Sequence, residues 1–160
     1  MKLKYFAMAM VTAILISDAA YATTEPSSES NSFEVTIKQL REFGVPIQVP
    51  GLWYINENSA LEFYSSGSRA IESLSNHTLN GQPLMQNENL GEGLKHLRSL
   101  SKMNSKDFLI QEREHPAYIV SLIVDNPKMP CPPCKVQRER LKEIQSKKQN
   151  IDVVVITIVN

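Results

Sequence analysis

Two cysteines carry the chemistry that this sequence could perform. Cys131-Pro132-Pro133-Cys134 contains both cysteines of the 160 residues. A chain of this length can bury enough apolar surface to fold without a disulfide, so a cysteine pair three positions apart favours a chemical role in an oxidising compartment. One thiolate would attack a substrate disulfide, and the other would resolve the mixed disulfide. The motif therefore predicts thiol–disulfide exchange, which requires no cofactor.

Two other interpretations of the cysteine pair stay open. A zinc site would need two further ligands, and His77, His96 and His115 show no paired spacing that would supply them. We therefore expect no metal site, and we expect these histidines to lie on the solvated surface. A permanent structural disulfide is the plainer alternative, because any close pair of cysteines can oxidise after export.

The residues on either side of the pair indicate how it is positioned. Tyr118 to Val124 and Ile151 to Val159 are nearly continuous apolar runs, as in strands covered on both faces. Val136 to Lys148 is charged, lacks Gly and Pro, and has Leu141 and Ile144 spaced to face inward. This order predicts a βαβ unit with a right-handed crossover and the cysteines at the turn from strand to helix.

A position at the start of a helix would activate the first thiol. Unpaired backbone N–H groups and the helix dipole favour a thiolate there, which lowers the pKa of Cys131 from about 8.5. Lys135 adds a nearby cation. Pro132 and Pro133 suit the first helical turn, because no N–H group is required there.

The segment before the βαβ unit predicts a β-hairpin between two short helices. Leu52 to Ile55 and Leu61 to Tyr64 are β-favouring and flank a turn sequence. Arg69 to Leu74 predicts the second helix. The first spans Phe33 to Phe43, with an inward face that carries Ile37, Leu40 and Phe43.

A connecting insert at 75–117 joins the hairpin segment to the βαβ unit. Residues 75–90 are rich in Asn, Gln, Gly and Ser and predict a loop. Leu90 to Leu100 has a helical stripe of leucines. Phe108 to Ile110 predicts a short strand, and Gln111 to His115 a polar turn.

The cysteine motif and the strand before it resemble the active-site region of thioredoxins. Leu122-Ile123-Val124-Asp125 is followed by five residues and then by Cys131-Pro132-Pro133-Cys134-Lys135. The resemblance implies that Cys131 is the nucleophile and Cys134 the resolving thiol. It also implies that Asp125 is the buried acid that relays a proton to the resolving cysteine. Asp125-Asn126-Pro127 is a good turn sequence as well, and that interpretation stays open.

The thioredoxin segment that normally follows this unit has a counterpart upstream. Phe43 to Asn56 resembles the family's helix end, aliphatic–cis-proline pair and strand, and Leu61 to Leu74 resembles its last strand and helix. The resemblance implies an α/β, thioredoxin-like fold at 33–160 with its two halves in permuted order. Val49 and Pro50 would then form the cis bond whose backbone meets an extended substrate. An ordinary trans proline is the alternative.

The family's tryptophan before the motif is absent here. Met129-Pro130 precedes Cys131 instead. Pro130 therefore takes the substrate-facing position that the resemblance implies, beside Val49 and Pro50. The change alters the surface that a substrate would meet.

The start of the chain predicts export. Lys2 and Lys4 precede an apolar run, and the run leads to the small-residue pattern Ala20-Tyr21-Ala22. This order predicts a signal peptide at 1–22 and a soluble periplasmic protein, with an uncleaved anchor as the alternative. Residues 23–32 are polar and predict a disordered leader.

Composition narrows the range of partners. The chain has 17 basic and 17 acidic residues, so it has no basic excess for nucleic acid or a membrane surface. We expect protein thiol or disulfide substrates and an envelope redox partner. The alternative is a non-catalytic, thioredoxin-like component of an envelope secretion or conjugation assembly, in which the Cys131–Cys134 disulfide is structural.

Overall fold

A computed structural model describes residues 31–85, 89–109, 117–148 and 150–159. The predicted signal peptide, most of the predicted leader and the predicted turn at 111–115 lie outside these residues. None of the helices described is long and apolar enough to cross a membrane. Along the chain, the elements are β1 (Asn31–Thr36), α1 (Ile37–Glu42), β2 (Gly51–Asn56), β3 (Leu61–Ser66), α2 (Ser68–Asn80), α3 (Leu90–Met103), β4 (Ala117–Val124), α4 (Pro132–Lys147) and β5 (Ile151–Val159).

The five strands form one mixed sheet in the order β1-β5-β4-β2-β3. Strand β5 pairs in parallel with both β1 and β4. Strand β2 is antiparallel to β3 and to β4. The predicted hairpin and the predicted strand–helix–strand order of β4, α4 and β5 are confirmed, and the fold class is α/β.

Helices cover both faces of the sheet and bury its centre. All eight residues of β4 are buried, as expected for a strand with helices on either side. Leu97 and Leu100 of α3 pack on one face. Leu141 and Ile144 of α4 pack on the other, together with Leu74 of α2. The predicted inward face of α4 is therefore confirmed.

The predicted helix at 33–43 is wrong in its first half. Residues through Thr36 form β1, where Phe33 and Val35 pack against the core and pair with β5. Thr36 then starts α1 through a capping box with Gln39, so the helix begins later than predicted. Phe43 is 43% exposed and does not face inward with Leu40. The last two residues of the predicted leader, at 31–32, belong to β1 as well.

The predicted loop at 75–90 and the predicted strand at 108–110 also need correction. Helix α2 continues to Asn80, and Gly81 in the left-handed conformation caps it. Thr78 is buried on the inward face of the helix, where its hydroxyl donates to the Leu74 carbonyl. Phe108 and Leu109 form a turn after α3, and Ile110 lies outside the described residues. The Phe108 N–H donates to Ser101 Oγ, which holds this segment against α3.

Candidate active site at the start of helix α4

The two cysteines form a disulfide at the start of α4, and their environments differ. Cys131 caps the helix and is partly exposed, whereas Cys134 in the first turn is 2% exposed. The Cys134 N–H donates to Cys131 Sγ at 3.2 Å. Pro132 and Pro133 fill the first two helical positions, as the sequence predicts. Cys131 is therefore the more accessible of the two cysteines.

The buried sulfur lies against the end of strand β4. The Val124 N–H points to Cys134 Sγ at 3.5 Å. Val124 and Cys134 belong to the same buried cluster, and Cys131 packs against that cluster from its edge. The end of β4 therefore holds the inner cysteine, and the helix start presents the outer one.

A buried glutamine joins α4 to the sheet one turn after Cys134. Gln137 is fully buried, and its Nε2 donates to the Gly51 carbonyl oxygen at 3.0 Å and to Ser121 Oγ. These contacts connect α4 with β2 and β4. Gln137 Oε1 has no hydrogen-bond partner in the described part of the chain. Gln137 belongs to no motif, and its one signal in the sequence is that a polar residue shares the inward face of the helix with Leu141.

Val49 and Pro50 lie at the same end of the sheet as the cysteines. The Val49–Pro50 peptide bond is cis. Because Gly51 pairs with Leu122, the two residues before Gly51 run alongside the end of β4. Pro50 is buried, and its carbonyl accepts from the Gly67 N–H at 2.8 Å. In the described residues, the Val49 backbone makes no hydrogen bond.

Asp125 is not the buried acid that the resemblance implies. Its side chain is 61% exposed and lies 2.9 Å from Arg138 Nη1. Strand β4 ends at Val124, so Asp125 is already outside the sheet and turns toward solvent. The alternative turn interpretation fits the next residues, because Asn126 Oδ1 accepts from the Lys128 N–H at 2.8 Å.

Four exposed apolar residues lie within five positions of the outer cysteine along the chain. Pro130 and Pro132 flank Cys131 and are exposed. Met129 is 37% exposed, and Val136 on the next turn of α4 is 48% exposed. The position of Pro130 therefore suits the substrate-facing surface expected of it. We call these four residues, Met129, Pro130, Pro132 and Val136, the apolar rim.

His77 packs against the Tyr54 ring and His96 against the Tyr64 ring. In the part of the chain that the structure describes, no three His, Cys, Asp or Glu side chains are grouped to hold a metal. The surface prediction is wrong for His96, which is 5% exposed and whose Nδ1 lies 3.2 Å from the Tyr64 hydroxyl. Burial lowers the pKa of His96, although Glu92 opposes this effect. His115 lies outside the described residues.

Comparisons with known proteins assign no function to this site. The chain matches no protein-family model, no curated protein and no solved structure. Function has to be argued from the site itself in any case, because one fold can host unrelated activities. The features to explain are the unequal exposure of Cys131 and Cys134 and the nearby backbone of Val49.

Proposed function

We propose that this protein is a thioredoxin-like thiol–disulfide oxidoreductase that acts on protein disulfides. Cys131 is the nucleophile and Cys134 the resolving thiol. The unequal exposure of the two cysteines is the main support, because exchange needs one accessible thiol and a second thiol close enough to resolve the mixed disulfide. The disulfide at a helix start, after a buried strand, is the second support.

The reaction proceeds in two exchange steps. The Cys131 thiolate attacks one sulfur of a substrate disulfide, which forms a mixed disulfide and releases one substrate thiolate. The Cys134 thiolate then attacks the Cys131 sulfur, which forms the Cys131–Cys134 disulfide and releases the second substrate thiolate. The substrate gains two electrons and the protein loses two. The reverse sequence oxidises a substrate dithiol.

The surroundings of Cys131 favour its thiolate. The Cys134 N–H donates to the Cys131 sulfur, and the dipole of α4 adds partial positive charge at the helix start. Lys135 contributes a cation one residue beyond the motif. These are the conditions under which a cysteine becomes a good nucleophile near neutral pH.

The fold we propose is a thioredoxin-like domain with its halves in permuted order. Its support is the cis Val49–Pro50 bond next to a strand that pairs with β4. Val49 would pair its unbonded N–H and C=O groups with an extended substrate, as in the addition of a strand to a sheet. Pro130 would contact the same substrate from the other side. With the predicted signal peptide at 1–22, the protein would act in the periplasm with an envelope redox partner.

The test combines alkylation with trapping. In the reduced full-length protein, Cys131 should react with iodoacetamide at neutral pH, whereas Cys134 should react slowly. The Cys134→Ser variant should form stable mixed disulfides with insulin, and the Cys131→Ser variant should form none. If only Cys131→Ser traps insulin, the assigned roles are reversed. If both thiols react slowly and only at alkaline pH, the proposed function is wrong.

One observation favours a second candidate, a non-catalytic envelope component with a structural disulfide. The exposed position of Asp125 leaves Cys134 without the buried acid that the thioredoxin resemblance implies. A structural disulfide needs no proton acceptor. The same alkylation experiment separates the two candidates, because a structural pair would give two slow, alkaline thiols.

A further inference from the structure

Three exposed cations, Lys128, Lys135 and Arg69, belong to segments that adjoin the outer cysteine or the cis bond. Lys128 is in the turn three residues before Cys131, and the Lys135 N–H donates to the Cys131 carbonyl at 3.3 Å. Arg69 is in the first turn of α2, which begins directly after Gly67, the residue that bonds to Pro50. In the described parts of the chain, none of the three cations has a carboxylate within ion-pair distance.

The nearby acidic residues do not offset this charge at the cysteine. Asp125 is already paired with Arg138 at 2.9 Å. Glu72 and Glu139 lie on the same helices as Arg69 and Lys135, but about one turn further from the helix starts. The start of α4 adds partial positive charge beside the sulfur. The surroundings of Cys131 are therefore cationic, whereas the chain as a whole is neutral.

We infer that the site selects extended protein segments in which acidic residues flank the reacting cysteine. The inference rests on the proposed function and adds the substrate class. The apolar rim would contact the segment near its cysteine. Lys128 and Lys135 would attract carboxylates on one side of the cysteine, and Arg69 would attract those on the other. Charge complementarity of this kind mainly raises association rates and weakens with salt.

The test uses two peptides that differ only in the charge beside the cysteine. Each peptide carries its cysteine as a 2-thiopyridyl disulfide, with either glutamates or lysines at the flanking positions. Attack by the Cys131 thiolate of the reduced full-length protein forms the peptide–protein disulfide and releases thiopyridone, whose absorbance gives the rate. Rates with the neutral thiol 2-mercaptoethanol correct for the intrinsic reactivity of each peptide.

The corrected rate should be about tenfold higher for the acidic peptide at low salt, and the two rates should converge in concentrated NaCl. The variant with Lys128→Glu and Lys135→Glu should lose or invert this preference. A control with Lys142→Glu and Lys148→Glu makes the same charge change at exposed positions in the second half of α4 and at its C-cap, and should keep the preference. Equal corrected rates at low salt would overturn the inference and leave the proposed function intact. No release from either peptide would overturn both.

Discussion

The Nε2 atom of Gln137 lies 3.0 Å from the carbonyl oxygen of Gly51, although 86 positions separate the two residues. Gln137 belongs to the helix that begins with the cysteines, and Gly51 follows the cis Val49–Pro50 bond directly. The same amide group contacts Ser121 in β4. The buried Gln137 side chain therefore fixes the position of the cysteine helix relative to the cis Val49–Pro50 bond.

Replacing Gln137 with Leu should lower the free energy of unfolding by about 1–3 kcal/mol, because the buried Gly51 carbonyl and the Ser121 hydroxyl would lose their partner. Urea unfolding of the oxidised protein measures the change. Gln145→Leu makes the same chemical change at an exposed position of α4 and should have an effect within about 0.5 kcal/mol. Equal stabilities of the two variants would show that the buried contacts contribute nothing net.

Two glycines of α3 should respond in opposite ways to alanine. A methyl group on Gly93 would collide with Cβ and Cγ of Tyr64, which rests on the helix there. The helix would have to move, and the bond from Trp53 Nε1 to the Gly93 carbonyl would weaken. We expect Gly93→Ala to cost about 1–3 kcal/mol. At Gly91 the methyl group meets open space, so Gly91→Ala should stabilise by up to about 1 kcal/mol. Thermal melts of the two variants test this contrast.

Stability should fall in mild acid because of His96. Burial lowers the pKa of His96 in the folded state, and Lys95 reinforces the effect while Glu92 opposes it. Below about pH 6.5 the unfolded chain therefore binds a proton that the folded chain resists. The stability present above that pH is lost as the pH falls toward the folded-state pKa. Urea midpoints at pH 7.5 and 5.5 should converge in His96→Asn but not in the control His77→Asn. An unchanged pH dependence in His96→Asn would contradict this prediction.

Asp125→Asn should leave thiol exchange nearly unchanged. The carboxylate is exposed and paired with Arg138 at the surface, where such a pair contributes about 0–1 kcal/mol. Rates of insulin reduction across pH 6–9 should stay within about twofold of the unaltered protein. A displaced pH profile would restore the proton-relay role that the thioredoxin resemblance implies for Asp125.

The sequence predicts correctly those helices and strands whose secondary structure depends on their own residues alone. Strands β4 and β5 are continuous apolar runs, and the charged helix between them has a helical spacing of apolar residues. Each pattern therefore predicts a single secondary structure. The residues of β1 were ambiguous. Phe33, Val35 and Ile37 alternate as in a strand, whereas Ile37, Leu40 and Phe43 have the spacing of a helix face. The partner that decides between the two patterns is β5, far along the chain.

In the candidate site too, some features depend on neighbouring residues and others on contacts between distant segments. The placement of Cys131 and Cys134 at a helix start followed from adjacent elements. The contact between Gln137 and Gly51 depends on how distant segments pack, which no local pattern indicates. Asp125 was misread because the matching spacing to the cysteine says nothing about where strand β4 ends. His96 was misread because it shares an inward face with Leu97 and Leu100, where polar residues need a partner such as Tyr64.

The position of β5 inside the sheet also sets a constraint on when the protein can fold. Strand β5 lies between β1 and β4, and more than a hundred residues separate it from β1 along the chain. A ribosome adds roughly 5–20 residues per second, so β1 waits on the order of 10 s for its partner to be synthesised. Until then neither β1 nor the outer side of β4 has a neighbour, and the growing chain cannot complete its sheet. Folding therefore follows synthesis of β5 and does not proceed alongside it.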